Sequence, residues 1–408
     1  MSVLDPILKE IRNYCSKIIP FVNTIFPHYA EHNESHAKRV YQYIINLIEP
    51  IHVEEDILLS SAAYLHDIGM ALMPTEWSKL RITKNYVLKD IKPEKQEEYS
   101  HLFGDKEYLE SIDLKGLRLK DFYLKHSKIA RKMHPWISAR LIESTDYENS
   151  LYNYLRENLP KGLCGTELKV FIKMLATVVK LHSSSSNLDN YRNRNMCAYY
   201  DYEINIAKAA ATLSLADTLD CTKERAKSLE LLCEFIAKLD MLQIKHWVFK
   251  KFVDKVDIRE NNIIIEVNTV SLPEVAGVLL FEVGKNIYKD YIRSQNIYKD
   301  YKIEYALSIK IPSYNTYTIT EAPLLKDIVD KEKNMVNIKP YIEKYEELRK
   351  IFAEELSFID ILAVLCEPTL AREKNLPPPE DFFNYLYMKT SLMEYISPEA
   401  RKILEEIA

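Results

Sequence analysis

The chain has 408 residues, a net charge of −5 and a hydrophobic content of 47%, enough for two or three domains with a substantial core. No apolar run reaches the roughly 18 residues of a membrane helix, and the opening Met1-Ser2-Val3-Leu4-Asp5-Pro6 lacks the basic-then-apolar pattern of a signal peptide, so a cytoplasmic protein without a membrane partner is expected. The acidic balance gives no global case for binding duplex nucleic acid, and six scattered cysteines without a CxxC pair exclude a zinc ribbon and fit free thiols in a reducing compartment.

Residues 1–30 are expected to form a leading helix. Ser35 or Asn33 then caps a helix reaching about Leu47, in which His36, Val40, Ile44 and Leu47 share one face. A second helix runs from near Glu54 to Gly69, with Ile57, Leu58, Ala62 and Leu65 apolar and Gly69 as a left-handed stop. Its last turn carries His66 and Asp67. An Asp there opposes the helix dipole, and an imidazole beside a carboxylate next to a core is costly unless a cation joins them. A divalent metal, which takes a neutral imidazole and an ionised carboxylate together, is the candidate.

The stretch 74–122, rich in Lys, Glu, Tyr and Asp, is expected to cover the mouth of the site as a lid or oligomer contact. His126 is expected to be an exposed helix residue. His134 opens a helix, with Pro135 in its first turn. A further helix runs from about Thr166, its face of Leu168, Phe171, Leu175 and Val178 ending in His182 and then in the loop Ser183-Ser184-Ser185-Ser186. Asn190 to Asn195 reaches a ligand or rims the site. Asp217 lies among small and apolar residues of a long helix, where a carboxylate is normally paired or metal-bound. Each residue alone has an ordinary alternative: a solvent-facing His-Asp pair, a satisfied core His36, a capping His134, a surface His182, or an ion pair of Asp217 with Arg225.

After 245 the texture changes. Val256-Asp257-Ile258 and Ile263 to Val267 flank Glu260-Asn261-Asn262, a hairpin signal. Ser271 to Glu274 starts a helix reaching about Tyr291, and Ile303, Tyr305, Leu307, Ile309 and Ile311 alternate as a half-buried strand. From 320 the chain is expected to be helical again. The expected fold is mainly α: a helical core at 1–244, a small α+β subdomain at 245–318 and a helical C-terminal region at 319–408.

Taken together, His36, His66-Asp67 and Asp217 resemble the H…HD…D signature of the HD superfamily of metal-dependent phosphohydrolases. With His134 and His182 the order is similar to that of HD enzymes with two metals, including HD-GYP phosphodiesterases. That resemblance implies that His134 and His182 bind the second ion and that Asp67 bridges. The chain departs from HD-GYP in having Met70 where a lysine is usual and no GYP segment after His182. It also has Ala71 where many HD deoxynucleotide triphosphohydrolases carry a histidine. The chain most resembles the bacterial HD-CE group, associated with conflict and phage defence, through His66 to Met70, Arg131-Lys132-Met133-His134, Leu215 to Asp220, and Arg225.

Mixed imidazole and carboxylate ligands suit one or two ions of manganese, iron, cobalt, nickel or zinc, with magnesium next. His66, Asp67 and Arg131 are then the catalytic candidates around a metal-activated water, and Arg131, Lys132 and Arg225 are the candidates for neutralising phosphate. Lys38 and Lys128 are alternatives. Three functions compete: a phosphohydrolase acting on nucleoside triphosphates or a phosphodiester-linked messenger, a nuclease acting on single-stranded nucleic acid, and a nucleotide-sensing module without turnover. A homo-oligomer or a defence-system partner fits any of them.

Overall fold

The computed structural model describes residues 4–26, 32–111, 119–226, 250, 253–267, 287–310, 329–330 and 335–337. It is mainly α-helical, and the chain divides into two compact units, residues 1–220 with 289–304, and 221–288 with 305–408. No helix among the described residues is long and apolar enough to cross a membrane.

The first unit is helical. In place of one leading helix, α1 (Asp5–Ile18) and α2 (Pro20–Ile25) follow each other, because Pro20 cannot donate into the helix before it. Then come α3 (Glu34–Leu47) and α4 (Val53–Leu65). Helix α4 is buried on nearly every side from Glu54 to Leu65, as an apolar-all-round helix must be, and it touches α1, α3, α10 and α11. Ser60, Ser61, Ala62 and Ala63 let those neighbours approach closely. Three further helices follow: α5 (Pro74–Trp77), α6 (Lys84–Leu88) and α7 (Gln96–Ser111). They are packed into the body, with Trp77, Leu80 and Val87 buried. The loop after α6 is tied to the serine loop: Lys92 N–H donates to the Ser185 carbonyl (3.0 Å) and Asn187 N–H to the Asp90 carbonyl (2.8 Å). Long helix α8 (Leu119–Glu143), α9 (Leu151–Asn158) and α10 (Thr166–Leu181) complete the wall. A two-stranded ribbon of β1 (Asn195–Met196) and β2 (Ile204–Asn205) precedes α11 (Ile206–Leu219).

The chain returns to this unit late. Residues 287–298 are helical, and Lys289–Glu304 pack against the first unit. Arg192, in the segment expected to reach a ligand, instead clamps this return, donating from Nε and Nη2 to Asp300 (2.5 and 2.7 Å) and from Nη2 to the Asn296 carbonyl (3.0 Å).

In the second unit the expected hairpin forms. Strand β3 (Val253–Arg259) pairs antiparallel with β4 (Asn262–Val267) through Glu260 and Asn261, both at positive φ (46° and 63°), as a tight primed turn requires. Strand β5 (Ala306–Lys310) is half-buried as its alternation predicts, with Leu307 and Ile309 inward, and runs parallel to β4. At 329–330 and 335–337, where a helix is expected, two short strands form instead. They are β6 (Val329–Asp330) and β7 (Met335–Asn337). They give β5 a paired edge in the order β3-β4-β5-β7-β6. Of the helix expected from Ser271 to about Tyr291, residues 287–291 are described and helical; the rest of it and most of the expected helical region 319–408 lie outside the described residues.

Candidate metal centre

The six predicted ligands come from five helices and meet in two groups. His36, His66, Asp67 and Asp217 offer atoms within 4.8 Å of one another, and so do Asp67, His134 and His182. Asp67 belongs to both. Its Oδ2 faces His36 Nε2 (3.3 Å) and His66 Nε2 (3.0 Å), while its Oδ1 faces His134 Nε2 (3.3 Å). Asp217 Oδ1 closes the first group at 3.4 Å from His36 Nε2 and 3.5 Å from His66 Nε2.

Each imidazole is oriented by its other nitrogen. Asn33 caps α3 by accepting the His36 amide N–H (3.0 Å), setting that histidine in the first turn. Its Nδ1 meets Asp220 Oδ2 at 2.6 Å. His66 and His182 follow the last residues of α4 and α10, and their Nδ1 atoms donate to carbonyls three residues back, Ala63 (2.9 Å) and Val179 (2.5 Å). These are end carbonyls that a helix leaves short of donors. His134 does the same inside α8. Pro135 lies within the helix, not in its first turn, and has no N–H for the Arg131 carbonyl four residues back. His134 Nδ1 donates to that carbonyl instead, at 2.7 Å. With all four Nδ1 atoms engaged, all four Nε2 atoms face inward.

Facing nitrogens stand close, His36 Nε2 to His66 Nε2 and His134 Nε2 to His182 Nε2, both at 3.2 Å. Such pairs repel unless a cation lies between them. Ligands at about 2.1 Å from one ion are about 3.0 Å apart along an octahedral edge and about 3.4 Å along a tetrahedral one. The observed 3.0–3.5 Å separations match, so the residues fit divalent ions.

The electrostatics agree. Burial opposes charge on His66, yet the Asp67 and Asp217 carboxylates overcome it and push its pKa up to about 10, which marks a place where positive charge is favoured. Burial also works against ionised Asp67 and Asp217, but the histidines, His66 foremost, hold both carboxyls well below the usual range. Burial lowers His134, against the pull of Asp67, and takes His182 down to about 3, with His134 and His66 adding to it. Both stay neutral, as a metal ligand must. Asp217 keeps 28% and His134 14% of its side-chain surface exposed, whereas His36 and His66 keep 2% or less, so ligand entry is from the Asp217 and His134 side.

Gly69 corrects the expected left-handed stop, because no glycine among the described residues has a positive φ. Its reason is space: a Cβ there would lie 2.5 Å from the His134 carbonyl oxygen and 2.6 Å from Ser138 N. Ser138 Oγ donates to the His66 carbonyl and accepts from Gly69 N–H, both at 2.8 Å, riveting the His-Asp turn onto α8. Met70, where HD-GYP enzymes carry lysine, is buried in the short 3-10 turn after Asp67.

Among the residues nominated for phosphate, Arg131 is exposed on α8 beside His134. Lys132 is paired with Glu98, and Lys38 with Glu34 at 2.8 Å. Arg225 is buried within the second unit, and Asp217 is matched with histidines as described. His126 is not exposed: it is fully buried against Phe26 and Trp77, ring centroids 5.1 and 5.4 Å away. Sequence reasoning did not assign a role to Asp220, which is fully buried and also held by Arg39 Nε (2.7 Å) and Nη2 (3.2 Å). It also missed His32, 3.7 Å from Asp67 Oδ2, although the four-residue spacing to His36 was a signal. Ser138 gave none.

The HD-CE family model matches residues 26–293, more than half of the chain, and the protein belongs to that family. No curated protein and no solved structure shows significant similarity to it. Membership brings the expectation of an HD-type phosphohydrolase, and the histidine–aspartate cluster supplies a site that can hold divalent metal.

Proposed function

We propose that this protein is a metal-dependent phosphohydrolase that cleaves phosphoester or phosphoanhydride bonds of nucleotides, either triphosphates or a phosphodiester-linked messenger. The observation that carries this reading is the division of Asp67, whose two oxygens face two histidine pairs. His36, His66, Asp67 and Asp217 would hold one ion and His134, His182 and Asp67 a second. Divalent ions bound there supply water activation near neutral pH and stabilise charge on the phosphoryl group and leaving oxygen. The chain's own part is preorganisation. Four engaged Nδ1 atoms keep the imidazoles in one tautomer, and Ser138 fixes the His-Asp turn. Exposed Arg131 stands one helical turn from His134, where its guanidinium can meet a phosphate. Lys132 remains a proposed partner of substrate, by exchanging Glu98 for phosphate. The mixed imidazole and carboxylate set admits manganese, iron, cobalt, nickel or zinc, and manganese is the ion chosen for loading in the test. The family's association with bacterial conflict makes antiviral defence the proposed setting.

The test is a product screen of the manganese-loaded protein against nucleoside and deoxynucleoside triphosphates, cyclic dinucleotides, cyclic oligoadenylates and single-stranded oligonucleotides. Turnover of a free nucleotide that Asp67→Ala abolishes is the expected result. Cleavage of oligonucleotides alone would replace it with the nuclease, and binding without turnover of any substrate would replace it with the sensor.

A further inference from the structure

The serine run after His182 touches three basic residues, Lys92, Lys289 and Arg293, that the proposed chemistry has not yet used. Lys289 Nζ donates to Ser184 Oγ at 2.9 Å. Lys92 is anchored by its backbone N–H on the Ser185 carbonyl, 3.0 Å away. Arg293, buried on the returning helical segment, donates to the carbonyls of Leu181 (2.6 Å), His182 (3.2 Å) and Ser186 (3.4 Å) and to Ser214 Oγ (2.9 Å). Its Nε has no acceptor among the described residues.

Asp290 is the carboxylate that answers these cations, and its oxygens are largely occupied. The Asp290 oxygens are taken by Ser214 Oγ (3.1 Å) and Thr218 Oγ1 (2.8 Å) on α11, and the carboxylate stands 3.9 Å from Arg293. Neither Lys92 nor Lys289 has a carboxylate within ion-pair distance among the described residues. Burial, then the charges of Arg293 and Lys289, lower the Lys92 pKa, so the three cations feel one another. Ordinary solvated lysines point apart. Three cations beside one hydroxyl-rich loop have, among the described residues, only the Asp290 carboxylate within ion-pair distance, and it meets Arg293 alone; an anion relieves the repulsion that remains.

We propose that Lys92, Lys289 and the loop Ser183–Ser186 form an anion subsite that takes a non-scissile phosphate of a polyphosphorylated nucleotide. It rests on the phosphohydrolase reading for the identity of the substrate. Ser184 is two residues from His182, at most about 7 Å along the chain, a separation comparable to neighbouring phosphates of one ligand. Ammonium groups give charge without fixed geometry, and serine hydroxyls supply adaptable donors. Arg293 is the positioning residue, because it fixes the carbonyls on either side of the loop. The substrate class is thereby narrowed to nucleotides with more than one phosphate.

Binding of inorganic tripolyphosphate to the full-length, chelator-treated protein, followed by titration calorimetry at low salt, tests this without the metal centre or turnover. Saturable binding is expected, weakened tenfold or more in Lys92→Gln/Lys289→Gln. Lys169→Gln, which removes an exposed charge on α10, should bind as the wild type does. Circular dichroism confirms that each variant is folded. Absence of saturable binding, equal affinity in the double variant, or the same loss in Lys169→Gln would overturn the subsite. Tighter binding of a short oligothymidylate than of tripolyphosphate would overturn its assignment to a free nucleotide. Because no ion is present, failure here leaves the hydrolase reading standing, and an inactive enzyme in the product screen leaves this binding result standing.

Discussion

Asp67 would serve two ions through oxygens that face different histidines, and that requires the turn around it to be rigid. Gly69 is where rigidity is most exposed to substitution. In Gly69→Ala the new methyl meets backbone atoms at 2.5 and 2.6 Å, which cannot move aside as a side chain would. We predict a loss of about 2–3 kcal/mol in denaturant unfolding and weaker metal binding. Asp220 is predicted to act through His36. Asp220→Asn keeps the shape but replaces a carboxylate on Nδ1 by an amide, and affinity for the first ion should fall about 10- to 100-fold in metal titrations. Unchanged affinity would remove Asp220 from the site. The candidate ligands, which the fold brings into two groups, were legible in the sequence because histidines and carboxylates are costly beside apolar residues. Asp220 was visible as part of a motif but not as a partner of His36, because the two are 184 residues apart and only the fold joins them.

At the scale of elements, the site is built from helix ends and one interrupted helix. His66 and His182 use last-turn carbonyls of α4 and α10, and Pro135 frees the equivalent carbonyl within α8. Proline in a helix interior costs about 3 kcal/mol, so its replacement should stabilise α8. Pro135→Ala also restores a backbone donor that competes for the Arg131 carbonyl. We predict a melting temperature at or above that of the wild type, together with several-fold weaker binding of the second ion. A variant more stable and equally tight would refute this coupling. The sequence pattern placed His36, His134 and Asp217 on helices, and His66 and His182 fall just past the helix ends where it set them in or at the last turn, yet it read Pro135 as a helix start. Proline is favoured in a first turn, and only tertiary packing on α8 pays for it in an interior. Gly69 was misjudged similarly: a glycine past a helix usually signals a left-handed cap, whereas close approach to another helix leaves no local mark.

At the scale of the molecule, a mainly helical fold and the β3–β4 hairpin followed from periodicity and turn chemistry. The return of Lys289–Glu304 to the first unit did not, because long-range packing has no local pattern. Burial in that first unit also sets a pH dependence. Burial holds His126 down to about 4, whereas an unfolded histidine titrates near 6.5. As pH falls, the unfolded chain therefore takes up its proton first. The stability that neutral His126 contributes is complete above about pH 6.5 and is lost as pH falls toward 4, at up to about 1.4 kcal/mol per pH unit. Denaturant unfolding should show this loss in the wild type and a shallower one in His126→Phe. Identical slopes would mean that the ring is not held neutral by the fold.

The central claim is that two ions share Asp67, and metal content tests it most directly. Wild type, His36→Ala, His182→Ala and Asp67→Ala would be loaded with manganese, desalted and measured by inductively coupled plasma mass spectrometry. The two ligand groups predict two ions in the wild type, one in each histidine variant, and fewer in Asp67→Ala than in either. Equal metal content in all four proteins would contradict it.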